Sequence, residues 1–193
     1  IKSINKNVKF INIVKIQKNK KLKKKNIVTI LTSSPNYDQP EKFWIQLFLL
    51  VFELSKKFNK WKFVIRDHPD FSYKEKIKKL ALVNNNIFFQ QANKVDINDS
   101  LSISRIVIGI ESSALIEALA FDTIPVVYNA NPNVLFTPDL NKNQIGFISS
   151  NIKKIEKSLE YLMLRQNYKI LSRNIKKKKN LYFNNLNNNR FIL

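Results

Sequence analysis

The chain has 193 residues, 44% of them hydrophobic, a net charge of +20 and no cysteine. That apolar fraction at this length suits one folded domain with a sizeable core and argues against disorder over most of the chain. The missing cysteines exclude disulfides, thiolate metal sites and cysteine nucleophiles, and the most apolar run, Phe43 to Leu54, is broken by Gln46 and falls short of the roughly 20 residues that span a bilayer.

Residues 1 to 25 hold ten lysines and no acid and read as a basic linker. The chain opens at Ile1 and its one methionine is Met163, the pattern expected of a piece whose natural start lies upstream. From Asn26, NIVTILTSS is a β-branched run closed by Ser33, Ser34 and Pro35, a buried strand and its exit. Glu41 to Phe58 then spaces Phe43, Trp44, Leu47, Phe48, Val51, Leu54 and Phe58 with helical periodicity. KFVIR (62–66) is a strand, Tyr73 to Val83 a helix, IFFQ (87–90) a strand, Asp96 to Ser104 a short helix and RIVIG (105–109) a strand. The stretch GIESSALIEALAFDTIPVVYN (109–129) supplies a helix over Ala114 to Phe121 and a strand over Ile124 to Tyr128. IGFIS (145–149) is a weaker strand, helices follow over Ile152 to Leu164 and Tyr168 to about Phe183, and residues 186–193 end in an asparagine-rich tail expected to fray.

Strands that are apolar throughout, separated by helices, indicate a parallel sheet covered on both faces. The expected fold is therefore α/β, a Rossmann-like doubly wound domain over residues 26–185. Such sheets bind ligands outside the carboxyl ends of their strands. His68, Ser112 and Ser113 fall at that edge, and Ser33, Ser34, Arg66, Gln91 and Asn129 are expected to line the same cleft.

ESS (111–113) enters the helix that begins near Ala114. Free backbone N–H groups at a helix start favour a phosphate, and serine hydroxyls add donors without bulk. Serine at this position also serves as a plain helix cap, and both readings stand. Glu117 lies four residues after Ser113 and five after Ser112, so it misses the three-residue spacing of a capping box. It shares a helix face with Ser113, about 6 Å along the axis, an offset close to that between a nucleotide phosphate and its ribose. A solvated carboxylate is the alternative. His68, the only histidine, is held at a strand exit by Pro69 and can donate to a phosphate or protonate a leaving group. No metal site is expected: one histidine without cysteine builds no zinc site. The two glycines, Gly109 and Gly146, cannot form G-x-G-x-x-G or a P-loop, and no G-x-S-x-G elbow is present.

RDHPDF (66–71) and the 109–129 stretch together resemble the paired HP and SS motifs of a group of bacterial GT-B transferases. The group includes CDP-glycerol glycerophosphotransferases, capsule polysaccharide transferases and bacterial sialyl- and polysialyltransferases. The resemblance covers roughly residues 26–185 and implies the donor-nucleotide domain of a GT-B enzyme of surface-polysaccharide synthesis. It implies that His68 contacts the donor phosphate and helps the nucleotide leave, and that Ser112 and Ser113 bind phosphate. By similarity to non-hydrolysing UDP-GlcNAc 2-epimerases, Glu117 would take the ribose. Those epimerases usually carry a glycine pair where this chain has Ser113 and Ala114, which points to transfer. Asp67 and Glu111 depart from the common pattern and leave the donor open. The resemblance further implies a CMP-, CDP- or UDP-linked donor with no separate cofactor, a glycan or lipid-linked acceptor, and a missing N-terminal domain of which residues 1–25 would be the end.

Residues 150–193 carry eleven Lys or Arg against Glu156 and Glu160, so the centre, 26–149, is nearly neutral at +1. The abundance of Lys, Asn and Ile matches the drift of a genome rich in A and T, and no nucleic-acid partner is expected. Lys18 to Lys25 and Lys176 to Lys179 can hold a cytoplasmic protein at the anionic inner face of the cell membrane, at about 1 kcal/mol per well-placed charge; a solvated linker and a solvated helix face are the alternative. The alternatives carried beside the transferase are a UDP-GlcNAc 2-epimerase-like enzyme and a basic module binding nucleic acid or membrane.

Overall fold

The computed structural model of the chain describes residues 22–35, 40–75, 78, 84–110, 112–131 and 139–182. Among these residues six strands form one parallel sheet in the order β3-β2-β1-β4-β5-β6. They are β1 Lys25–Leu31, β2 Lys62–Arg66, β3 Ile87–Gln90, β4 Ser104–Gly109, β5 Ile124–Tyr128 and β6 Phe147–Ser149. The last five residues of β1 and all of β5 are buried, as a sheet covered on both faces requires.

Helix α1 (Glu41–Lys57) buries Trp44, Leu47, Phe48, Val51 and Leu54, the stripe that its periodicity marked, with Phe43 and Phe58 packed half-buried at its ends. Each fully buried side chain of this kind contributes about 1.5–3 kcal/mol. On the same face α1 packs beside α5 (Ile152–Met163), where Lys57 Nζ meets Glu160 Oε1 at 2.5 Å. The Tyr128 hydroxyl, from the end of β5, donates to Gln46 Oε1 of α1 at 2.7 Å. Helix α2 (Ile97–Ile103) packs against β1, β4 and the 3₁₀ turn Ala118–Phe121, which follows α3 (Ser113–Glu117).

Three local features differ from the sequence pattern. The helix expected over 114–121 tightens to 3₁₀ geometry after Glu117 and stops at Asp122, whose φ of 57° lies in the left-handed region that Asp tolerates. A short helix α4 (Leu140–Asn143) forms because the Asp139 carboxylate accepts the Lys142 N–H at 3.0 Å. It shortens the strand expected from Ile145, because the Ile145 N–H donates to Leu140 O and β6 begins at Phe147. The final helix, α6 (Arg165–Tyr182), starts earlier than its apolar spacing suggested. Of the helix expected over 73–83, Lys74, Glu75 and Lys78 are helical and the other residues from 76 to 83 lie outside the described residues, as do most of the basic segment 1–25 and the tail 186–193.

Candidate functional site

Strand register brings the candidate residues to one level. Reading across the paired strands, Gln90, Arg66, Leu31, Gly109, Val127 and Ile148 stand in one row near the carboxyl ends. Gln91, His68, Ser33, Ser34, Ser112, Ser113 and Asn129 lie one to four residues beyond that row. The strand order then sets who neighbours whom. β1 and β4 are adjacent, with β2 and β3 continuing to one side and β5 and β6 to the other, so their exits form the topological switch point at which open α/β sheets bind ligands. At about 4.8 Å per strand, Ser33 and Ser34 leave the sheet one strand from the β4 exit, His68 two strands away at about 10 Å, and Gln91 three strands away at about 14 Å. Asn129 follows β5, one strand away on the far side.

Gly109 ends β4 at this point. A Cβ added there would stand 2.9 Å from the Leu31 carbonyl oxygen, so any side chain would push the two strand ends apart. Three residues on, Ser112 occupies the N-cap position of α3 in an extended conformation, but its hydroxyl makes no cap hydrogen bond. Neither Ser112 nor Ser113 has a side-chain partner among the described residues, and Ser113 is exposed. Capping is therefore not what these hydroxyls do in this structure. Glu117 is half-buried without a hydrogen-bond or ionic partner among the described residues, and burial raises its pKa above the ordinary carboxylate value.

His68 sits just beyond β2, with 36% of its side chain exposed. Its Nδ1 accepts the Asp70 N–H at 3.2 Å, and the Asp70 carboxylate stands 3.8 Å from the same nitrogen. With Nδ1 as acceptor, the neutral imidazole carries its proton on Nε2. The ring thus keeps a donor for a ligand.

Arg66, expected in the cleft lining, is only 6% exposed and lies in the wall behind it. Its guanidinium donates to Gln90 Oε1 at 3.0 Å and to Ala92 O at 3.1 Å, tying β2 to the β3 exit. Burial lowers its pKa, with the Asp96 carboxylate opposing that shift. Side chains alternate along a strand, so last-in-strand position alone does not tell inward from outward; the long-range bonds to Gln90 and Ala92 decide it for Arg66. Gln91, half-buried, accepts the Lys94 N–H on its carbonyl and lies farthest from the serines. Ser33 is half-buried, and the Asn129 N–H donates to Ser149 O at 3.0 Å. Sequence reasoning missed the part played by Asp67: it is buried, and its Oδ1 accepts the Tyr73 N–H at 3.1 Å. No local pattern announces a bond across six residues.

A family model described as glycosyl transferases group 1 matches residues 14–180. No curated protein matches the sequence significantly. Among solved structures, the C-terminal domain of the glycosyl transferase group 1 family protein LpcC from Francisella tularensis aligns over 84% of this chain and 88% of its own, at 18% identity and a TM-score of 0.56. The UDP-GlcNAc 2-epimerase from Neisseria meningitidis bound to UDP-GlcNAc aligns over 78% of this chain, at 18% identity and a TM-score of 0.57. The wall teichoic acid polymerase TagF with CDPG aligns over 80% of it, at 15% identity and a TM-score of 0.54. The chain spans 39% of that epimerase and 35% of that polymerase. The fold is the Rossmann-like doubly wound domain that makes one half of a GT-B protein.

Proposed function

Because the chain belongs to the glycosyl transferases group 1 family, we propose that it is the donor-nucleotide-binding half of a glycosyl- or glycerophosphotransferase. The product would be a bacterial surface polysaccharide of the capsule, lipopolysaccharide or teichoic-acid type. One observation carries the reading: two serine hydroxyls and a half-buried carboxylate without partners among the described residues stand on α3 and its entry, at the same sheet edge as an imidazole with Nε2–H to offer.

In this reading Ser112, Ser113 and the first backbone N–H groups of α3 hold the donor phosphate. Glu117 accepts the ribose hydroxyls. His68 donates Nε2–H to the phosphate on the nucleotide side, so that the charge released when the bond to the transferred group breaks falls on fixed donors rather than on water. Ser33, Ser34 and Asn129 complete the rim. The donor is CMP-, CDP- or UDP-linked, no separate cofactor is invoked, and the acceptor is a glycan or lipid-linked chain bound by a domain N-terminal to this one. The extent of the solved LpcC domain supports such a division of the chain.

A thermal-shift titration of the full-length protein tests this. CMP, CDP or UDP should raise the melting temperature, and His68→Ala and Ser113→Ala should each remove the response. Silence toward every nucleotide would sink the proposal. The likeness to the Neisseria meningitidis epimerase favours a second reading, epimerisation of a nucleotide sugar. Turnover of UDP-GlcNAc by the full-length protein without any acceptor would select it.

We further place the protein in the cytoplasm, resting on anionic lipid. Among the described residues no helix is long and apolar enough to cross a membrane. Within Lys176–Lys179, Lys178 Nζ donates to Asn143 O at 2.8 Å and Lys179 Nζ pairs with Asp122 Oδ1 at 2.8 Å, both inside the domain. On α6 the lipid contact therefore falls to the outward cations Lys169, Arg173, Lys176 and Lys177, all exposed; of the other run, Lys18–Lys25, Lys24 turns into the domain to Leu101 O and Thr123 Oγ1 and residues 18–21 lie outside the described residues.

A further inference from the structure

The loop that carries His68 is closed by a single side chain. Asp67 leaves β2 with its N–H donating to Gln90 O at 3.0 Å, and its carboxylate turns back to accept the Tyr73 N–H at 3.1 Å. Both ends of that bond are buried, Asp67 at 8% and Tyr73 at 2% exposure. Tyr73 is itself fixed by aromatic packing, with ring centroids 5.9 Å from Trp44, 5.2 Å from Phe48 and 4.9 Å from Phe71. Inside the closed loop the Phe71 N–H donates to His68 O at 3.4 Å and the Asp70 N–H to His68 Nδ1 at 3.2 Å. The imidazole, half-exposed at the tip, thus depends for its place on a frame anchored at Asp67.

We propose that Asp67 is a positioning residue for His68: its carboxylate closes the 67–73 loop onto Tyr73, which holds the Asp70 N–H against Nδ1 and keeps Nε2–H aimed along the sheet edge. The proposal rests on the reading of His68 as a donor-phosphate contact. Without the carboxylate, the buried Tyr73 N–H loses its acceptor, and the loop must open to find another. His68 would then sample orientations in which Nδ1 is no longer capped. The position before the histidine is therefore set by loop closure, which makes Asp67 the residue type that fits it here: short enough to turn back, with an oxygen to accept.

The test uses the full-length protein, with CDP and UDP as probes and Asp67→Ala, Asp67→Asn, His68→Ala and the Asp67→Ala/His68→Ala double variant. Asn keeps an acceptor oxygen at the same reach, so Asp67→Asn should bind nucleotide within about threefold of the parent. Asp67→Ala should lose affinity by about the same factor as His68→Ala, roughly ten- to a hundredfold for one charge-assisted hydrogen bond. The double variant should lose little more, because the two act through one contact. A second readout is independent of affinity. His68 is the only histidine of this chain, and in the full-length protein its ring-nitrogen signals are identified by their loss in His68→Ala; the parent and Asp67→Asn should show the Nε2–H tautomer, and Asp67→Ala an average of both. If Asp67→Ala does not fold, Asp67→Ser, whose hydroxyl ends one bond short, takes its place. Multiplying losses in the double variant, or Asp67→Ala with parental affinity and tautomer, overturns the proposal. Parental affinity in His68→Ala would instead remove the role of His68 and leave the tautomer measurement to decide on Asp67.

Discussion

The two edges of the sheet use similar side chains to opposite ends. At the amino edge Lys24 Nζ donates to Leu101 O at 2.7 Å and to Thr123 Oγ1 at 2.5 Å, and Thr123 Oγ1 donates to Leu101 O at 2.6 Å. Ser104 Oγ lies 2.7 Å from both Ser100 O and Thr29 Oγ1. Arg105 donates to Asn26 and lies over the rings of Trp61 and Tyr168, though its Nε finds no partner among the described residues. At the carboxyl edge Ser112, Ser113 and Glu117 have no partners among the described residues, and His68 spends only one of its ring nitrogens. Buried polar groups are ordinarily satisfied. Satisfied hydroxyls at one edge lock strand starts together, and idle ones at the other are what a ligand can use.

The largest effect separating the edges should come from His68→Ala, which the proposed function expects to lower transfer by the full-length protein about 10²–10⁴-fold. Its melting temperature should move by no more than about 2 °C, as for other half-exposed positions. Lys24 should behave in the reverse way. Burial lowers its pKa from 10.5 to about 7, with Asp122 opposing and Lys179 adding to the shift. Between those two pH values the unfolded chain binds the more protons, so stability should rise with pH from about 7 to about 10 by a few kcal/mol and be flat below 7. Chemical denaturation across that range checks it, and Lys24→Met should abolish the rise without touching nucleotide affinity, since Thr123 still satisfies Leu101 O.

Gly109→Ala should cost about 1–3 kcal/mol, because the Leu31 carbonyl has to yield to the new methyl group. Retained stability would mean that the strand ends can part cheaply. Real and idle caps offer a finer contrast. The Asn151 side chain accepts the Lys153 N–H at 2.9 Å at the start of α5, so Asn151→Ala should lose about 1 kcal/mol. Ser112→Ala and Ser113→Ala should each stay within about 0.5 kcal/mol in the ligand-free protein; a loss like that of Asn151 would return the serines to capping. Smallest is Glu117→Gln. The folded pKa of Glu117 is raised by burial, so the folded chain holds the proton longer and stability falls as pH rises through that range. The substitution should therefore lift the melting temperature at pH 7 by about 1–2 °C while weakening nucleotide binding. A drop would mean that the carboxylate has a stabilising partner.

Much of the fold was legible because its signals are local. The β-branched runs at 26–31 and 105–109, the stripe of α1 and the serines entering α3 each announce themselves within a few residues, and the strands appear within one or two residues of their expected ends. The exceptions had causes farther away. Ile145 bonds back to α4 and so leaves β6, and Arg66 turns inward to Gln90 and Ala92. Half of the basic run 176–179 faces the domain, because Asp122 and Asn143 stand opposite it.

The sequence by itself determined the element order, the parallel covered sheet and the set of polar residues at strand exits, since each follows from hydrophobic period and turn chemistry. Tertiary structure alone decided the strand order that makes β1 and β4 neighbours, the closing of the His68 loop by Asp67, and which serines are left idle. Those depend on pairing across dozens of residues, where a hydroxyl next to a carbonyl and a hydroxyl next to open solvent look the same in the chain.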